Sequence, residues 1–248
     1  MNKKMKMFLK FMGILSVAAV ILVMATSCIR FTGFSGSGNV ITEERNVQGF
    51  NSIAVNAGIN LFVEQGSEES VKIEAEDNVI PMIITEVKNG NLKIRYKQFF
   101  SIGFSPTRAV NAYVTVKQLN ELKASSGSSV KTEEINTDSL KINMSSGAFG
   151  EFIIKSKEVE ANASSGTLIR ISGTTDKQDV KLSSGGSYDA QDLISKSADV
   201  DVSSGASAKI NVSENLDVNI SSGGIIQYLG NPKVSSNISS GGILKSID

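Results

Sequence analysis

The sequence predicts an all-β protein, predominantly a parallel right-handed β-helix (solenoid) of about seven coils with a β-rich N-terminal cap. Three observations predict it: Ser-Ser-Gly recurs seven times, the residues around each copy alternate apolar and polar, and the repeat is too short to fold alone. The glycines are Gly127, Gly147, Gly166, Gly185, Gly205, Gly223 and Gly241, separated by 20, 19, 19, 20, 18 and 18 residues.

The chain divides into four parts. Residues 1–27 read as a lipoprotein signal: Lys3, Lys4, Lys6 and Lys10 precede an apolar run over 11–24, which is too short for a comfortable spanning helix. The run ends in Ala25-Thr26-Ser27-Cys28, small residues before the chain's one cysteine. That pattern resembles a bacterial lipoprotein signal, in which the thiol of Cys28 is lipidated. An ordinary cleavage after Ser27 would leave an unpaired thiol on an exported protein, which is a liability. Acyl chains contribute about 0.8 kcal/mol per buried methylene, so several hold a protein on a bilayer without spanning it. Residues 28–38, rich in Gly and Ser, form a flexible tether. Residues 39–118 form the β-rich cap, and 119–248 the solenoid with Ser-Ser-Gly corners.

In the cap region, alternating strands are expected over 51–55, 59–63, 71–75, 92–96 and 112–116, with turns at Gly58, Gln65-Gly66 and Asn89-Gly90. Residues 77–88 read as a short helix capped by Asp77, against which Pro81 and the β-branched residues count. A cap is needed because an uncovered solenoid end exposes strand edges and apolar surface.

In the solenoid, the position three before each glycine holds Ala124, Met144, Ala163, Leu182, Val202, Ile220 and Ile238. Five before stand Leu122, Ile142, Ala161, Val180, Val200, Val218 and Ser236. Both columns face inward. Between them Lys123, Asn143, Asn162, Lys181, Asp201, Asn219 and Asn237 face water. A second apolar alternation follows each glycine, so one repeat is strand, corner, strand, return. Such a unit buries its apolar face only by stacking on copies of itself, about 4.8 Å apart. Right-handed winding follows from the chirality of parallel crossovers. Glycine supplies a positive φ at the corner, and the serines are expected to bond backbone or the next coil's serine.

Composition excludes several chemistries. The chain has no His and one Cys, which removes Ser-His-Asp triads, Cys-His dyads, His-based metal sites and internal disulfides. Removal of residues 1–27 takes four lysines and no acid, leaving 21 basic and 25 acidic side chains, a net charge of −4. No basic field recruits nucleic acid, and no cofactor is implied.

The set Phe50-Asn51-Ser52-Ile53, Val55, Gly58-Ile59-Asn60, Val63, Gln65-Gly66 and Asn89-Gly90-Asn91-Leu92, followed by the Ser-Ser-Gly series, resembles the family of putative auto-transporter adhesins with a head GIN domain. The resemblance covers about residues 38–248. It implies a largely parallel β-helical fold at the cell envelope and an adhesive role, and it assigns no catalytic residue.

Two groups of residues are candidate sites. Six positions before the glycine, Asp179, Asp199 and Asp217 succeed one another on one face, where stacked carboxylates repel. A divalent cation with oxygen ligands, or the nearby Lys181 and Lys209, would relieve that repulsion. β-Helical polysaccharide lyases and hydrolases use such carboxylates, and a solvated acidic face is the plainer alternative. The second group is Tyr96, Phe99, Phe100 and Phe104, which either contact a ligand or pack over the solenoid mouth. At the other end the last coil requires blunting by charge, such as Lys245 and Asp248, or by pairing with a second copy.

The expected function is a non-enzymatic, lipid-anchored outer-membrane protein, periplasmic or surface-facing, that presents a rigid β-helical surface to a glycan or protein partner. A glycan-active enzyme on the Asp179/Asp199/Asp217 face and a structural envelope component joined through its terminal coil are the alternatives.

Overall fold

The computed structural model describes residues 35–97 and 106–247. Seven strands precede the repeats: β1 (Val40–Glu44), β2 (Ser52–Val55), β3 (Asn60–Gln65), β4 (Ser70–Glu76), β5 (Ile83–Lys88), β6 (Asn91–Tyr96) and β7 (Asn111–Val116). The repeats supply β8 (Glu121–Ala124), β9 (Ser129–Met144), β10 (Phe149–Ala163), β11 (Leu168–Leu182), β12 (Ser187–Val202), β13 (Ser207–Ile220), β14 (Ile225–Leu229), β15 (Lys233–Ile238) and β16 (Ile243–Ser246). Adjacent long strands pair in parallel with repeat-matched register, for example Val159↔Gln178 and Gln178↔Ala198. The molecule is a parallel β-solenoid of about seven turns, as the repeat predicts.

The return between repeats is not a loop. Each of β9 to β13 runs from just past one corner to just before the next, 14 to 16 residues without leaving the ladder. Bulges absorb the unequal repeat lengths, for example between Arg170 and Gly173 opposite β12. A ladder of small hydroxyl residues lies at this second bend. Ser156 Oγ donates to Thr175 Oγ1 at 3.0 Å, and Ser195 Oγ donates to the Asn211 carbonyl at 2.8 Å. Thr137, Thr175 and Ser195 are buried, and their hydroxyls meet backbone or side-chain partners.

The Ser-Ser-Gly corner is a two-residue turn with both central residues left-handed. The second serine has φ between 48° and 56°, and the glycine between 67° and 77°. This is the mirror-image turn that suits twisted strands. Within a coil it closes by a backbone bond such as Gly186 N–H to Ser183 O at 2.9 Å. Between coils the glycine N–H donates to the second serine's carbonyl of the next coil: Gly127 to Ser146, Gly147 to Ser165, and onward to Gly223 and Ser240, at 3.0 to 3.2 Å. The expected serine contact between coils is thus made by serine carbonyls.

The same corner occurs once without the motif. Ala57 and Gly58 have φ of 59° and 73°, and Gly58 N–H donates to Ser126 O at 3.0 Å. β2 pairs with β8 and β3 with β9 in parallel, so these strands stack as a coil within the region read from sequence as a cap. β6 and β7 stack beyond them, also in parallel. The covering function falls to the antiparallel strands: β5 on β6, β4 on β7 and β1 on β4. The helix expected over 77–88 is replaced by a 3-10 turn at Ile80–Met82 followed by β5. The β-branched run and the Asn89-Gly90 turn, with φ of 52° and 73°, outweigh the capping aspartate.

The core is one stack. Leu122, Ile142, Ala161, Val180, Val200 and Val218 are fully buried, each above its counterpart in the next coil. On the other ladder, volume is traded within coils: Gly150 precedes Phe152, and Tyr188 precedes Ala190, all buried. A Cβ at Gly150 would come within 2.4 Å of the Phe152 ring, so that glycine makes room for the inward phenyl of its own coil. The Tyr188 hydroxyl, fully buried, donates to Gln178 Oε1 at 2.8 Å, and Gln178 Nε2 donates to Ser195 Oγ at 2.8 Å. Burial pushes the Tyr188 hydroxyl pKa strongly up.

Outside, opposite charges alternate from coil to coil. Lys131, Glu151, Arg170, Asp189 and Lys209 are successive register partners. On the return, Lys157 reaches Asp138 at 2.8 Å and Lys196 reaches Asp176 at 2.7 Å. Each exposed pair contributes little alone, but a slipped register would set like charges opposite each other. At the far end β15 and β16 leave Val234, Ile238 and Ile243 exposed.

Two glycines separate corner conformation from close packing. Gly166 has φ +70° and open space where a Cβ would be, so Gly166→Ala is expected to cost about 1 kcal/mol. Gly173 has φ +112°, and a Cβ there would lie 2.0 Å from the Ile154 carbonyl oxygen of the adjacent coil. Gly173→Ala is expected to cost about 3 kcal/mol or more in urea unfolding, because backbone must part to admit it. Equal losses at the two positions would contradict this packing.

Candidate binding faces

Strand alternation and the corner together create a groove. The residue three before each glycine turns inward and its neighbours on both sides turn outward, so the strand surface forms a floor between two rows of side chains. One row is Lys123, Asn143, Asn162, Lys181, Asp201, Asn219 and Asn237, and the other is the first serine of each corner. The groove has a volume of about 920 Å³ and extends from Asn56 to Ser239 across the stacked coils.

Its wall is pre-ordered. Asn162 Nδ2 donates to Asn143 Oδ1 at 3.1 Å, and Asn219 Nδ2 donates to Asp201 Oδ1 at 2.9 Å. The two lysines in the wall are held by acids of their own strands: Lys123 by Glu121 at 2.8 Å and Lys181 by Asp179 at 3.2 Å. The groove therefore offers mainly neutral carboxamides and backbone-linked serines. This column was legible in sequence as polar and solvent-facing, but the concavity beside it arises only from the turn geometry.

Asp179, Asp199 and Asp217 are stacked as the spacing predicts, with register Asp179↔Asp199↔Asp217. Partial burial, then the charges of Asp179, Asp201 and Asp217, raises the Asp199 pKa above the usual aspartate value. Lys181 bonds Asp179, whereas Lys209 lies on the other ladder as register partner of Asp189. The sequence expectation for Lys209 fails because the corner separates the two faces. Glu160, next in the column, is held by Lys141 at 2.7 Å, which lowers its pKa through that hydrogen bond first. Among the described residues no group of carboxylates has the geometry to hold a metal ion.

Of the aromatic candidates, Tyr96 closes β6 and packs partly buried against the core. Burial, and secondarily the charge of Glu76, pushes its pKa up to about 12. Phe99, Phe100 and Phe104 lie outside the described residues, as does Cys28. Just beyond that segment, the buried Glu76 carboxylate accepts bonds from Thr107 Oγ1, from Thr107 N at 2.9 Å and from Gly38 N at 2.8 Å. These bonds, led by the Thr107 hydroxyl, lower the Glu76 pKa.

An exposed aromatic pair occurs elsewhere. Phe62 of β3 and Tyr113 of β7 are register partners, stacked with centroids 5.1 Å apart and planes within 15°. Their sequence signal is position: each is the outward residue between two buried ones, in Leu61-Phe62-Val63 and Ala112-Tyr113-Val114.

A family model described as putative auto-transporter adhesin, head GIN domain, matches residues 49–232, and the chain belongs to that family. No curated protein matches. Among solved structures, a putative adhesin from Bacteroides fragilis superposes with TM-score 0.80 at 20% identity, over 87% of this chain and 100% of its own. A putative adhesin from Parabacteroides merdae gives TM-score 0.70 at 18% identity, over 87% and 99%. A putative lipid binding protein from Parabacteroides distasonis gives TM-score 0.69 at 19% identity, over 88% and 100%. At these identities the likeness is one of fold.

The Asp199 pKa sets a sign for stability. A carboxylate whose pKa is raised on folding costs stability at neutral pH and recovers it as pH falls through the folded value toward the unfolded one. Asp199→Asn should therefore stabilise the protein at pH 7 by about 0.2–1 kcal/mol, the scale of a like-charge cross-strand contact. The gain should fade in acid, where Asp199 itself takes up a proton. Destabilisation by Asp199→Asn at pH 7 would contradict the arrangement.

Proposed function

We propose that this head GIN domain chain is a non-enzymatic binding module of the cell envelope that lays an extended, uncharged glycan along the corner groove. The groove carries the reading. Its wall repeats a carboxamide or other polar side chain once per coil, about every 4.8 Å, which suits a polymer bearing hydroxyls at regular intervals. The wall is cross-linked by its own hydrogen bonds, so little side-chain freedom is lost on binding. Many weak contacts on a rigid rod then act together. Family membership and the putative adhesins among the structural neighbours support an adhesive role at the envelope.

In this proposal, acyl chains on Cys28 hold the rod on the outer membrane and residues 28–38 tether it. No acid–base pair is assigned to the Asp179/Asp199/Asp217 column, since Lys181 holds Asp179 and the rest face one another.

The test is a titration of full-length protein, in a zwitterionic detergent without a sugar headgroup, against soluble linear neutral glycans. Binding without release of reducing ends is expected, weakened about tenfold or more in the Asn143→Ala/Asn162→Ala double variant. Accumulating reducing ends, or unchanged affinity in that variant, would overturn the proposal.

A further inference from the structure

We propose that the stacked pair Phe62 and Tyr113 forms a second binding site, on the opposite ladder from the groove, for a single pyranose ring. It rests on different residues and does not depend on the groove binding glycan.

Most positions in the outward register column that runs through these two rings carry charge: Glu44, Lys72, Lys131, Glu151, Arg170, Asp189 and Lys209. Tyr113 and Phe62 interrupt the series between Lys72 and Lys131, and leave 39% and 36% of their area in solvent. Alternating charge serves register, as it does from Lys131 onward, whereas two half-exposed rings sacrifice that and leave apolar surface in water. A third outward aromatic on the ladder, Phe149, shows how the fold covers a ring: the Arg170 guanidinium lies 5.6 Å from its centroid. Among the described residues no cation is so placed over Phe62 or Tyr113.

The rings line a concavity of about 410 Å³ together with Ser70, Lys72, Thr115, Lys131 and acidic Glu64 and Glu133. That volume falls within the range of small-ligand sites, and its lining combines an apolar patch with convergent polar groups. The polar groups are held in place. Thr115 Oγ1 donates to Glu64 Oε1 at 2.8 Å and accepts from Ser70 Oγ at 3.0 Å, while outside the lining Asn111 Nδ2 donates to Glu74 Oε1 at 2.7 Å. Tyr113 Oη lies 3.4 Å from the same Glu74 oxygen. Lys72 pairs with Glu44 at 3.4 Å, and Lys131 has no carboxylate partner among the described residues because Glu151 turns to Arg170.

A pyranose answers each feature. Its C–H face packs on aromatic surface, its hydroxyls donate to carboxylates, and its oxygens accept from an ammonium. A peptide segment would use the rings but offer the Glu133 carboxylate, and the lone pairs of Glu64 that Thr115 leaves open, only its backbone N–H groups or basic side chains.

The experiment is fluorine NMR of the full-length protein, labelled with fluorotyrosine and held in a detergent without a sugar headgroup. The chain has four tyrosines and no tryptophan, so Tyr113 can be assigned by its loss in Tyr113→Phe. The probes are methyl gluco-, galacto- and mannopyranosides at millimolar concentration. At least one is expected to shift the Tyr113 signal saturably, and Phe62→Leu, which keeps apolar bulk but removes the ring, should weaken that binding about tenfold. The Asn143→Ala/Asn162→Ala variant should leave it unchanged, which separates this site from the groove. No shift with any of the three sugars, or equal affinity in Phe62→Leu, would overturn the proposal. So would a Tyr113 signal that moves only with a proline-rich peptide.

Discussion

The structure depends on one repeated hydrogen bond, from the corner glycine N–H to the carbonyl of the second serine in the next coil. A coil of about 19 residues cannot bury its apolar face alone, and stacking solves this only if every coil turns at the same place. The bond from Gly127 to Ser146, and its successors through Gly223 and Ser240, fixes that place. Both turn residues are left-handed, a conformation that glycine adopts freely and serine tolerates poorly. The cost recurs at every corner and is offset by the core column that alignment creates, Leu122 through Val218, buried to completion.

Once the corners are aligned, the rest of the surface follows. Residues on either side of the inward column must point out, so whatever the sequence places there becomes a straight ladder along the rod. Alternating charges at Lys131, Glu151, Arg170 and Asp189 guard register. Carboxamides at Asn143 and Asn162 bond each other and wall a groove. The groove and the charged column are thus products of the repeat itself, carried on the core beneath.

Much of this was legible in the residues. Seven Ser-Ser-Gly copies and their flanking alternation dictate stacked coils, the inward columns and the stacked Asp179, Asp199 and Asp217. Four features were not. The coil formed by β2 and β3 lacks the motif, with Ala57-Gly58 in its place, and its neighbours β6 and β7 come later in the chain, so sequence order conceals spatial order. Residues 83–88 carried competing helix and strand signals, settled by pairing with β6. Lys209 and the Asp column lie near one another in sequence position but on opposite sides of a corner. The Phe62–Tyr113 pair was not singled out among the aromatic residues, because only the long-range pairing of β3 with β7 brings the two rings together.

The most direct measurement is amide hydrogen exchange at the corner glycines. Gly147, Gly166, Gly185 and Gly205 are solvent-exposed residues at turns, where an ordinary hairpin leaves such N–H groups free to exchange. Because each donates to the adjacent coil, their exchange should be as slow as that of neighbouring core-strand amides and should quicken only with global unfolding. Fast exchange at these four glycines, with the flanking strands still protected, would contradict the stacked-corner account.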